Sequence, residues 1–152
     1  MSRTTTAILA LLVAALSAGF ALCMSIVHYK TWAFVPPLAF QKFQNASATQ
    51  TVPLAIALGI PSLLLAAITA YRGLPGVARS LLWLAAVLAA VPWVATPTIL
   101  IPLQERLAAA GPVAGLVAEL FWKDLTLRSL PPTLQSAILC GAVLSRLQRR
   151  AE

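Results

Sequence analysis

The chain has 152 residues, 60% of them hydrophobic and only 10% charged, with 11 Lys and Arg against 4 Asp and Glu for a formal net charge of +7. A water-soluble domain carries about 25% charged residues, and so large an apolar share in so short a chain exceeds what one aqueous core hides. Lipid is therefore the expected solvent for much of the surface, which excludes most soluble-enzyme classes. The cations are scattered among hydrophobic blocks instead of gathering on one patch, so no nucleic-acid partner is expected.

In chain order, four stretches approach the roughly 20 apolar residues that cross a bilayer: 6–27, 52–71, 80–103 and 130–147. The predicted fold is all-α, a single domain (1–152) forming an integral membrane four-helix bundle with two long, partly helical loops on the non-cytoplasmic side. The first stretch outlasts a signal-peptide h-region of about 7 to 15 residues, so a retained helix is expected. With an even number of spans, both termini share a side with the short 72–79 connection. That side carries Arg3, Arg72, Arg79, Arg146, Arg149 and Arg150 close to span ends, and the other spreads Lys30, Lys42, Arg106, Lys123 and Arg128 over long segments. The positive-inside rule then puts both termini in the cytoplasm, in an inner or plasma membrane.

The two long connections, 28–51 and 104–129, hold most of the polar chemistry, and loops that long are usually functional. Pro36 and Pro37 break the first helix, and Pro37 can open a short helix through Lys42 at the membrane interface. Gly111 and Pro112 break the second segment. A helical stretch follows to about Arg128, with Glu119–Lys123 and Asp124–Arg128 at i, i+4. Pro131 and Pro132 mark the entry to the last span. Small residues at four-residue spacing, namely Ala55 with Gly59, Ala85 with Ala89, and Ala137, Gly141 and Ser145, are expected helix-packing faces. Pro92 and Pro97 should open space between helices.

His28, the only histidine, shares a helical stripe with Ser17, Ala21 and Ser25 that should face the bundle. An imidazole titrates near physiological pH, so His28 is a candidate base; its structural alternative is an interfacial anchor beside Tyr29 and Trp32. Gln104 is placed to reach the bundle mouth, and Arg106 either binds an acidic group or snorkels to the interface. Trp122, sharing a face with Glu119 and Thr126, either walls the same cavity or anchors the helix. Cys23 and Cys140 lie in separate apolar runs and no His or carboxylate spacing suggests a metal site. No Gly-rich phosphate loop suggests a nucleotide.

Gly19 followed by Pro36, Pro37 and Leu38, the run from Thr96 to Leu103 continuing into Gln104 and Leu107, and Trp122 with Arg128 before the last span together resemble the anthrone oxygenase-like family of small four-helix membrane proteins, much of it a domain of unknown function. Gln104 stands where that family usually has asparagine, an amide one methylene shorter. The resemblance implies oxidation of an anthrone-type polyketide to a quinone by molecular oxygen as co-substrate, without metal, flavin or other cofactor. In that reading His28 is the base, Arg128 and Gln104 stabilise the oxyanion, and Tyr29, Trp32, Arg106 and Trp122 bind the substrate. The competing class is a noncatalytic bundle that binds a lipid or small hydrophobic molecule, or an accessory subunit that docks a partner protein. A transporter or channel ranks last, since the spans lack a charged relay, although a homo-oligomer can form a pore between chains.

Overall fold

Runs rich in Leu and Ala form helix readily, and in this chain they are interrupted only where Pro and Gly cluster. The computed structural model describes residues 1–151, with side chains through Arg149, and these residues form four long helical rods with no strand. The rods are α1 (Arg3–Phe34), α2 (Pro37–Arg72), α3 (Arg79–Ala110) and α4 (114–151). Ser2 caps α1, its hydroxyl accepting from the Thr5 amide at 3.1 Å. Pro37 opens α2, where its missing N–H costs nothing. The α2–α3 turn depends on Gly73 and Gly76, both at positive φ, and Gly111 ends α3 at φ +80°.

The expected division into short spans and long loops is corrected here. The segments 28–51 and 104–129 are mostly extensions of the rods, broken only at 35–36 and 111–113. The helix opened by Pro37 does not stop at Lys42 but runs through Pro53 and Pro61 to Arg72. Near the helix prolines, hydroxyls donate back to carbonyls one turn earlier: Thr49 to Asn45 O, Thr51 to Ser47 O and Thr133 to Ser129 O.

Three of the rods contain one π-helical turn each, Met24–His28 in α1, Thr96–Leu100 in α3 and Leu125–Ser129 in α4. Each is closed by an i→i+5 bond, from Tyr29 N to Met24 O, Ile101 N to Thr96 O and Leu130 N to Leu125 O. Such turns are rare and concentrate at functional sites.

Successive rods run antiparallel, and α1 and α3 each pack against α2 and α4. Arg72 donates to Thr6 Oγ1 and Met1 O, and Arg149 lies against Gly76, so the N-terminus, the 73–78 turn and the end of α4 meet at one end. Pro37 and Gly111 meet at the other. At the terminal end the core is made of small residues, with Ala7, Ala66, Ala70, Ala86 and Leu82 in one cluster and Ala10, Ala14, Ala85 and Leu139 beside it. At the far end it is bulky: Tyr29, Trp32, Phe40, Leu100, Leu103, Leu107 and Leu120.

Two expectations are revised. Three rods, α1 to α3, are long and apolar enough to cross a membrane; α4 does not join them, because Gln135, Ser136 and Arg146 dilute its apolar stretch. On that helix Ala137, Gly141 and Ser145 are exposed, and the packing face is instead Gln135, Leu139, Ala142 and Val143. Ala85 and Ala89 are buried as a packing face should be, whereas Ala55 and Gly59 line a cavity. Arg150, among the expected cytoplasmic cations, and Glu152, the end of the expected domain, fall outside the residues whose side chains are described.

Candidate functional site

At the bulky end the last turns of α1 and α3 meet the first turns of α2 and α4. The α1 stripe of Ala21, Ser25, His28, Tyr29 and Trp32 turns inward, with Ala21, Ser25, Tyr29 and Trp32 buried and His28 half-buried. Tyr29 and Trp32 meet edge to face with ring centroids 4.7 Å apart, Trp32 meets Phe40 at 5.3 Å, and the His28 ring stacks on Phe43 at 6.2 Å. This aromatic packing fixes the rotamers of the polar groups beside it.

The Tyr29 hydroxyl is the hub. It accepts a hydrogen bond from Gln104 Nε2 at 3.2 Å and another from Arg128 Nη2. The Arg128 guanidinium also lies 5.7 Å from the Tyr29 ring centroid. Arg128 pairs with Asp124 at 2.5 Å, and the carboxylate, fully buried, accepts from Ser25 Oγ. Ser25 and Ser129 hydroxyls lie 2.7 Å apart. A buried carboxylate is tolerated only when so compensated. Asp124 precedes the apolar stretch of α4; burial pushes its carboxyl above the ordinary range, while Arg128 and Ser25 pull it back. Glu119, by contrast, is held below the ordinary range by its exposed partner Lys123 at 2.6 Å.

A second polar pair flanks the hub. His28 Nε2 accepts from Trp32 Nε1 at 3.2 Å and lies 2.8 Å from Ser47 Oγ. The indole N–H can only donate, so Nε2 is the unprotonated nitrogen and the Ser47 hydroxyl donates to it as well. Gln44 donates from Nε2 to the Gln104 carbonyl at 3.0 Å, and its buried Oε1 has no hydrogen-bond partner.

These groups cap a cavity of about 400 Å³ that descends between the rods past Thr51, Ala55, Pro92 and Thr96 to Ser62 and Gln135. At its deep end the Gln135 amide, fully buried, exchanges hydrogen bonds of 3.1 and 3.3 Å with Ser62. Ligand pockets of this size, mostly apolar with a few convergent polar groups, are typical of small-molecule sites.

Of the residues singled out from sequence, Tyr29, Trp32, Gln104 and Arg128 converge on this cavity. His28 sits behind Ser47 instead of on the cavity wall, because its ring is turned toward Phe43 and Trp32. Trp122 does not wall the cavity: it is 62% exposed, with its ring 5.1 Å from that of Phe121. Arg106 is exposed and also does not line the cavity. Sequence reasoning placed Asp124 only in a surface ion pair and left Ser25 as part of a stripe. The buried face Leu120–Asp124, continuing Leu116 and Val117, was the signal that Asp124 points inward. Gln44, Ser47, Ser62 and Gln135 carried no pattern that sets them apart. Among the described residues no three His, Cys, Asp or Glu side chains come together as a metal site, and Cys23 and Cys140 are both exposed thiols.

No family model matches the chain, no curated protein matches it, and no solved structure matches its fold.

Proposed function

We propose that the protein is an integral membrane four-helix bundle that holds a small hydrophobic molecule, with its apolar body in the cavity and a polar end among Tyr29, Gln44, Gln104 and Arg128. The observation that carries this reading is the cavity itself, mostly apolar along its length, with Tyr29, Gln44, Gln104 and Arg128 at one end and the mutually bonded Ser62 and Gln135 at the other. Membrane integration is supported by three rods of sufficient length and apolarity. It is also supported by bare apolar side chains such as Leu12, Leu16, Leu64, Val87, Val94 and Leu144 around the outside, a surface unsuited to water. The polar groups in the middle of α4 are consistent with a fourth span because Gln135 is turned inward and hydrogen-bonded. Both termini lie on the cytoplasmic side in this arrangement, by the positive-inside rule.

The test is native mass spectrometry of the purified protein released from detergent after incubation with hexadecanol, methyl palmitate or anthrone. At least one should bind with 1:1 stoichiometry and be lost in Ala55→Phe, which fills the cavity. Absence of any bound adduct would refute the reading.

A second reading, the cofactor-independent oxygenase that the family resemblance implies, is favoured by the Ser47–His28 pair. Ser47 lines the cavity and hands a substrate proton to His28 Nε2 behind it. Deprotonation of an anthrone methylene leaves a carbanion that adds molecular oxygen; loss of water from the resulting hydroperoxide gives the quinone carbonyl. Arg128 and Gln104 act through Tyr29 on the substrate oxygen in this scheme. Oxygen uptake with anthrone should fall sharply in His28→Ala and Ser47→Ala, and turnover unchanged in both ends the reading.

A further inference from the structure

We infer that the cavity is a groove for a single-chain amphipath with a hydrogen-bond-donating head, loaded sideways from the bilayer between α2 and α3; this rests on the ligand-binding reading above. Three independent observations point to it.

The first is shape. On α2 the wall runs from Gln44 to Ser62, and 18 residues of helix rise about 27 Å. The lining is therefore elongated along the rods, as a single hydrocarbon chain is.

The second is the side on which the groove opens. Every exposed residue of its lining lies on α2 or α3, among them Val52, Ile56, Trp93, Pro97 and Ile101; the lining from α1 and α4 is buried or half-buried. The slot is thus bounded by apolar side chains within the apolar stretches of α2 and α3, where a membrane supplies hydrocarbon and no water. Trp93 forms its sill: the indole is seated so close over Gly59 that a Cβ there would lie 2.9 Å from Trp93 Cζ2. Gly59 is required for that close approach.

The third is the head. Gln44 Oε1 is buried at the end of the groove that lies beyond the apolar stretch of α2, and it accepts no bond within the protein. A buried carbonyl oxygen left unpaired costs free energy that a donor restores. A fatty alcohol, or another chain ending in O–H or N–H, donates to it, whereas an ester does not. Arg128 is already neutralised by Asp124, so the site does not call for an anionic head. A lipid-phase amphipath in the adjacent leaflet carries its head at the level of Gln44 and its tail at the level of Val52 and Ile56. It can slide through the slot without turning over.

The experiment uses the full chain with the same three probes, adding Gln44→Leu and a hexadecanol analogue with a photoactivatable diazirine at mid-chain. Hexadecanol should bind roughly tenfold more tightly than methyl palmitate, and Gln44→Leu should bring the alcohol down to the ester's level. Since a folding defect would weaken the ester too, the ester reports on the variant's integrity. Photolabel should fall on 52–59 and 93–101. Binding of anthrone with exclusion of both chains would overturn the groove while leaving the ligand-binding reading intact; binding of none of the probes would take down both. An alcohol preference that survives Gln44→Leu, or label confined to α1 and α4, overturns the head and the slot respectively.

Discussion

Replacing Asp124 by asparagine is the sharpest probe of the buried network. The substitution keeps the shape and an oxygen for Ser25 but removes the charge opposite Arg128. Removing one partner of a buried ion pair typically costs about 3 to 5 kcal/mol, because the other charge is left uncompensated. Two features place this case near the low end. The Arg128 side chain is 22% exposed, so water reaches it, and it retains the Tyr29 hydroxyl. Ser25 keeps Ser129 and the Ala21 carbonyl and is not orphaned. The expected loss is about 3 kcal/mol, roughly a hundredfold in the unfolding constant. The double variant Asp124→Asn/Arg128→Met leaves no unpaired charge and should recover most of it, about 2 kcal/mol relative to the single variant. The assay is reversible unfolding in mixed micelles by titrating a denaturing detergent, followed by far-UV circular dichroism. A single variant within about 0.5 kcal/mol of the parent, with no coupling in the cycle, is the behaviour of a solvent-screened pair and would refute the claim that this site is shielded.

Other perturbations separate buried from exposed positions. Trp32→Ala removes a fully packed indole and should cost about 3 to 5 kcal/mol, whereas Trp122→Ala, at an exposed position, should change the same unfolding midpoint little and leave hexadecanol binding intact. Gln135→Leu removes the buried amide from Ser62; side-chain hydrogen bonds between membrane helices average about 0.6 and reach about 1.7 kcal/mol, so a loss within that span is expected by detergent titration. Gly73→Ala and Gly76→Ala force an L-residue to positive φ and should each cost about 1 to 2 kcal/mol. The flexible Arg149 side chain can move off Gly76, so the two should be alike, and a thermal melt that separates them widely contradicts this.

Much of this architecture is written in the chain. The apolar stretches locate α1 to α3, the Pro36–Pro37 and Gly111–Pro112 breaks are where the rods end, and the stripe carrying Ser25 and His28 turns inward. Helix length was the part that composition hides. Polar residues such as Gln44 and Asn45 read as loop because polarity suggests water, yet Gln44 is polar because it faces a site, and the helix continues through it. Facing was hidden for a different reason. A π turn adds a residue to the helical repeat and rotates everything beyond it, so a face followed across Leu125–Ser129 at 3.6 residues per turn drifts out of register. On α4 the spacing alone offered Ala137, Gly141 and Ser145 as an interface, but its buried face carries Gln135 and Leu139. Amino-acid size cannot announce that an amide is satisfied by a serine 73 positions away.

The cavity persists because its two ends are pinned across the diagonals of the bundle. In the cyclic order of the rods, α1 and α3 are not neighbours, nor are α2 and α4. Yet Gln104 of α3 reaches Tyr29 of α1 at one end, and Gln135 of α4 reaches Ser62 of α2 at the other. Between these crossings the lining includes Ala21, Thr51, Ala55, Gly59 and Thr96, short residues that leave space along the axis, beside the larger Phe20, Met24, Ile56 and Trp93. Apolar association gives little force to close such a gap when the surroundings are as apolar as the walls. A hydrogen bond at each end is then enough to set the separation of four rods, one crossing holding the polar head of the site and the other its floor. The hub at Tyr29 follows from this geometry: Arg128 and Gln104 approach its hydroxyl from two different helices, so the group at the head of the proposed site is also the group that fixes how far apart those helices stand.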